Sequence, residues 1–139
     1  LDDINNLKCT LIHEKTHRDN PKTGENLYHY KAIIAEYNSP FFANTTPEFK
    51  KSNERYAKYL FQKSALEKNK DGSYRYSNEQ IQTEIDAYNS IASKLGLSSL
   101  IYDPKTRKII EVYTIGTGVI KSGRKKDETK TESDTASSK

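Results

Sequence analysis

Helix-breaking residues cut this chain into pieces of helical length, and that punctuation limits its possible folds more than any other feature. Asn20-Pro21, Asn38-Ser39-Pro40, Asp71-Gly72 and Gly96 separate four segments. A residue before proline is pushed out of the helical region, and glycine is the usual residue just past a helix end. The spacing predicts a first helix over residues 2–18, with Asp2 or Asp3 at its start and Ile4, Leu7 and Leu11 recurring at helical intervals. A second helix is expected over 27–37, with Ala32, Ile33, Ile34 and Ala35 inside it. Thr46-Pro47-Glu48 reads as a cap followed by proline in the first turn, opening a third helix to about Lys68 with Phe49, Tyr56, Leu60, Phe61 and Ala65 turned inward. Lys50, Lys51, Arg55, Lys58 and Lys63 then occupy its solvated positions. Ser77 followed three residues later by Gln80 is a capping box, and it opens a fourth helix through Ile81, Ile85, Tyr88 and Leu95.

Beyond Gly96 the period changes. The runs 100–102 and 109–114 are rich in β-branched and aromatic residues and flank Asp103-Pro104, which predicts a small β-hairpin. From Lys121 onward almost nothing is apolar, so residues 121–139 are expected to be a disordered polar tail on a domain of residues 1–120. The expected fold is therefore mainly α: a small domain of about four helices with a C-terminal hairpin.

Composition limits what such a domain does. Apolar residues make up 33% of the chain, with ten Tyr and no Trp or Met, so tyrosine must serve as a large core residue and each buried hydroxyl needs a partner. The net charge of +4 comes from interspersed charges of both signs, which argues against a dedicated nucleic-acid binder. No apolar run is long enough for a membrane-spanning helix. Cys9 is the lone cysteine and is expected to be a buried free thiol. The chain opens on Leu1, as expected of a processed secreted protein or of the C-terminal part of a longer polypeptide.

The chemistry concentrates at His13-Glu14-Lys15-Thr16-His17. Two histidines four apart on a helix share one face, close enough to hold one tetrahedral zinc. Glu14 lies about 100° around the helix from His13, placed to take a proton from water beside the metal rather than to ligate it. Zinc lowers the pKa of its water towards 7, so this residue set suits metal-assisted hydrolysis. A zinc site needs a third protein ligand. Glu84 is the first choice, because Ala87 one turn on would let its helix approach the first. His29, in Tyr28-His29-Tyr30, is second, and Asp86, about 200° around the helix from Glu84, is last. Tyr88, His29 and Tyr76 are candidates, in that order, for stabilising a developing oxyanion.

The stretch Leu11-Ile12-His13-Glu14-Lys15-Thr16-His17 resembles the HExxH active-site helix of the zincin metallopeptidases. With Glu84 followed by Ala87, it is similar to the gluzincin arrangement, including the glutamate–two residues–alanine pattern of anthrax-lethal-factor-like catalytic domains. The overall layout also looks like the small metallopeptidase modules of polymorphic toxins. The resemblance implies His13, His17 and Glu84 as zinc ligands, Glu14 as general base, a peptide or protein substrate, and a secreted or exported bacterial protein. Zincins usually carry a β-sheet before the motif helix, whereas twelve residues precede His13 here. Two other readings compete: a non-catalytic zinc-binding interaction module, and a helical domain whose tail contacts acidic surfaces. Glu14 separates the peptidase from the first of these, since a pure metal site needs no carboxylate there.

Overall fold

A computed structural model describes residues 3–115 and 118–122 of the chain. Four helices come first: α1 (Asp3–Asp19), α2 (Tyr30–Tyr37), α3 (Pro47–Leu66) and α4 (Asn78–Lys94). Short 3-10 turns, Pro21–Gly24 and Phe42–Asn44, fill the first two connections. The strands β1 (Ser99–Asp103), β2 (Lys108–Ile115) and β3 (Gly118–Ser122) form an antiparallel sheet in that order. The fold is thus mainly α, as the pattern predicts.

The local signals act as expected. Thr46 caps α3 by accepting from the Phe49 amide, with Pro47 in the first turn. Ser77 and Gln80 form the capping box of α4. Gly96, at φ +74°, takes the left-handed turn past its end at no Cβ cost. The hairpin is one strand larger than predicted, because β3, with β-branched Val119 and Ile120, pairs with β2 from Ile115↔Gly118 to Glu111↔Ser122. The domain boundary expected at residue 121 falls inside this strand, and most of the expected tail, residues 123–139, lies outside the described residues.

The core lies where α2, α3, α4 and the first two strands meet, around Ile33, Phe61, Ile81, Ile85, Tyr88 and Leu100. Helix α2 packs against α3 and α4, α4 against β1, and α3 against β2. The buried tyrosines do find partners. Tyr37 and Tyr88 share a hydrogen bond of 3.0 Å, Tyr30 donates to Glu84 at 2.6 Å and Tyr76 to Glu25 at 3.0 Å. Cys9 is a buried free thiol beside Ser39, and burial pushes its pKa up.

Helix α1 departs from the pattern. It packs on α2 and the two 3-10 turns, and its Ile4, Leu7 and Leu11 point to solvent. Specific polar bonds set its rotation instead. Asn6 donates to Thr46 Oγ1 and accepts from the Thr46 amide, both at 3.1 Å, and His13 is bonded to α2. Leu7 and Leu11 lie about 200–240° around the helix from His13, so turning the histidine inward turns them outward. Tyr56 of α3, expected inside, is also exposed.

Candidate metal centre

Helix α1 and the start of α2 bring three imidazoles to one point. The Nε2 atoms of His13 and His17 are 3.1 Å apart, those of His13 and His29 3.0 Å, and those of His17 and His29 3.1 Å. Among the described residues this is the one group of three His, Cys, Asp or Glu side chains arranged to hold a metal ion. All three histidines are half-buried.

The far side of two rings fixes which nitrogen carries the proton. His13 Nδ1–H donates to Glu36 Oε2 at 2.7 Å, because a carboxylate only accepts. Glu36 is buried, and its other oxygen accepts from Asn53 Nδ2 at 3.0 Å. Thr23 spends its one hydroxyl proton on the Asn20 carbonyl at 2.6 Å, so its oxygen accepts from His17 Nδ1–H at 2.7 Å. In the neutral tautomers that these bonds favour, both Nε2 atoms carry lone pairs, facing each other and His29. Two lone pairs meeting at 3 Å repel unless a proton or a metal ion lies between them. Burial first, and then the positive charge that His17 and His13 carry when protonated, push the His29 pKa down to about 4. The His17 pKa is lowered by burial and by His13, and raised in part by the negative charge of Glu14.

This donor set fits zinc. Nitrogens bound at about 2.0–2.1 Å to a tetrahedral zinc lie about 3.3 Å from one another, within a few tenths of an ångström of the separations here. Nδ1–H donors to a carboxylate and a hydroxyl are the partners that orient metal-binding histidines.

The third position differs from the first choice made on the sequence. The residue brought to His13 and His17 is His29, ranked second there, and Glu84 is not in the cluster. Helix α2 lies against both α1 and α4, and Glu84 spends its carboxylate on the Tyr30 hydroxyl at 2.6 Å. Ala87 is exposed rather than placed at a close approach to α1. Asp86 is exposed and accepts from Gln82 at 2.9 Å. Tyr88 and Tyr76 are buried with their hydroxyls bonded to Tyr37 and Glu25, so they serve the core. The aromatic side chain at the cluster is Tyr56, whose ring meets His29 edge to face with centroids 5.2 Å apart. Glu14 is exposed on α1, and among the described residues its carboxylate forms no hydrogen bond or ion pair.

Sequence reasoning missed Glu36, Thr23, Asn53 and Tyr56. A signal for the first was available. Glu36 follows His29 by seven residues, two helical turns, and so shares its face of α2.

The family model described as metallopeptidase toxin 2 matches residues 1–97, which include α1 to α4 and all three histidines. No curated protein and no solved structure matches the chain. The chain belongs to the metallopeptidase toxin 2 family.

Proposed function

We propose that this member of the metallopeptidase toxin 2 family is a zinc-dependent peptidase, with His13, His17 and His29 as its metal ligands and Glu14 as its general base. The observation that carries the reading is the convergence of the three Nε2 atoms, two of them with their protons held on the opposite nitrogen. Zinc, when bound, supplies a Lewis acid that acidifies water and polarises the scissile carbonyl.

The chain's own residues do the rest. Glu36 and Thr23 hold the Nδ1 protons of His13 and His17, which would leave both Nε2 atoms free to bind the ion. Glu14 neighbours His13 in sequence but points around the helix from it, with its carboxylate unengaged among the described residues. It accepts the proton that water gives up on attacking the carbonyl carbon, and returns it to the leaving amine as the C–N bond breaks. The substrate is a peptide or protein. The toxin description of the family supports an exported bacterial protein acting on a foreign target.

Glu14→Gln tests the mechanism. The amide preserves shape but cannot take the proton, so zinc content should stay near one per chain while hydrolysis of a mixed peptide library falls about 10²–10⁴-fold. Equal cleavage by wild type and variant would refute the role of Glu14. Zinc binding with no cleavage by either protein would favour the non-catalytic metal-binding module.

A further inference from the structure

A line of exposed apolar side chains, unused by the core, runs along α3 away from the three imidazoles. It starts at Tyr56, whose ring rests against His29. Tyr59 stacks on Tyr56, with centroids 6.2 Å apart and planes 12° from parallel. Beyond Tyr59 opens a groove of about 410 Å³, lined by Tyr59, Gln62, Lys63, Leu66 and Glu67. Tyr56, Tyr59 and Leu66 are 39%, 55% and 52% exposed, a high proportion for large apolar side chains in so polar a chain. Positions 56, 59, 63 and 66 lie on one helix face, and ten residues of helix span about 15 Å. An extended peptide covers that length in about four or five residues.

The polar groups of the groove are largely committed already. Gln62 donates to the Arg107 carbonyl at 2.8 Å and accepts from the Ile109 amide at 2.9 Å. Glu67 accepts from Arg75 at 3.1 Å and Asn26 at 3.3 Å. Lys63 leans over the Tyr59 ring, with Nζ 5.8 Å from its centroid. What remains for an occupant is open apolar surface, continuous with the histidine cluster through Tyr56.

We propose that this track is a substrate subsite, in which Tyr59 and Leu66 hold a large aromatic or aliphatic side chain of a peptide whose scissile bond lies at the histidine cluster, four or five residues away. The proposal rests on the peptidase reading, and it makes the enzyme selective for peptides carrying such a residue. An aromatic anchor in an apolar pocket is the kind of contact that dominates peptide binding.

The test uses the full zinc-loaded chain carrying Glu14→Gln, so that bound peptide is not cut. Fluorescein-labelled decapeptide pools, random except for one position fixed as Phe or as Ser, are titrated by anisotropy. The Phe pool should bind about tenfold tighter, a difference of about 1.4 kcal/mol. Tyr59→Ser combined with Leu66→Ser, both at exposed positions, should cut that preference below about twofold. Leu7→Ser on the exposed face of α1 should leave it intact. Absence of a Phe preference in the parent, or its survival in the double variant, overturns the subsite. Hydrolysis by the protein with Glu14 intact is read separately. There the double substitution should raise KM for Phe peptides and leave kcat unchanged. Phe-selective binding that depends on the groove, together with no cleavage of any pool, would sink the peptidase reading and keep the groove. Cleavage indifferent to the double substitution would sink the groove and keep the peptidase.

Discussion

Replacing Glu36 by Gln probes the proposed metal centre without touching a proposed ligand. Both oxygens of Glu36 accept, Oε2 from His13 Nδ1–H at 2.7 Å and Oε1 from Asn53 Nδ2–H at 3.0 Å. An amide has one accepting end, so it cannot serve both donors as they stand. With its oxygen towards His13, the imidazole keeps its proton on Nδ1, and Asn53 must turn its own amide to face the new NH₂. What is lost is the difference between a charged and a neutral hydrogen bond, about 1–1.5 kcal/mol or roughly tenfold in affinity. With its NH₂ towards His13, the ring must move its proton to Nε2 and can no longer ligate, which costs more. Zinc affinity should therefore fall about 10–100-fold, as expected for a partner that orients a metal-binding histidine. Competition against a chromogenic zinc chelator at neutral pH measures the affinity. The urea midpoint of the metal-free variant checks that the buried substitution has not unfolded the domain. A folded variant whose zinc affinity matches wild type within about twofold would refute both the tautomer argument and the role given to Glu36.

The choice of third ligand has its own test: His29→Ala should abolish tight zinc binding, as should His13→Ala and His17→Ala, while Glu84→Gln should leave it unchanged. Zinc lost on changing Glu84 but retained on changing His29 would reverse the assignment. Acid should weaken the metal-free protein. The His29 pKa is lowered from 6.5 to about 4 by burial and by its neighbours, so in the range between these values the unfolded chain binds the extra proton. This contribution to stability is complete above about pH 6.5 and is lost as pH falls towards about 4. Urea midpoints at about pH 7 and about pH 4.5 should show a drop that His29→Phe reduces, and an identical drop in the variant would refute it.

What could be read from the sequence was whatever depends on neighbours along the chain. The Thr46 and Ser77 caps, the stop at Gly96 and the histidine pair one turn apart are each written within a few residues. What could not be read was set by contacts across the fold. The apolar spacing of Ile4, Leu7 and Leu11 gave a correct helix but the wrong buried face, because two bonds to Thr46 and one to Glu36 outweigh a generic apolar stripe. The preference for Glu84 assumed that α1 and α4 are neighbours, and α2 stands between them. Connection length pointed the other way. Ten residues separate α1 from α2, enough for a tight reversal that sets the start of α2 beside the end of α1. That reversal pairs His29 with His17 and, two turns further along α2, Glu36 with His13.

The same reversal places the histidine cluster on the element with the least apolar attachment. Helix α1 contributes Cys9 alone to the buried core, while the fully buried side chains of α2, α3 and α4 pack against one another. Much of its remaining hold on the body is polar: Asn6 with Thr46, His17 with Thr23, His13 with Glu36. Hydrogen bonds of this kind are worth about 0.5–1.5 kcal/mol each when neutral, and the meeting of the His13 and His17 Nε2 lone pairs subtracts from that sum. A cation at the three nitrogens would reverse the sign of this repulsion and join α1 to α2 through two helices' worth of ligands. Because it would bind the folded arrangement and not the unfolded chain, its binding energy would become stability of the α1–α2 pair. The solvent-facing stripe on α1 fits this account, since a helix held by a metal and by polar bonds has no need to bury Leu7 and Leu11 to stay in place.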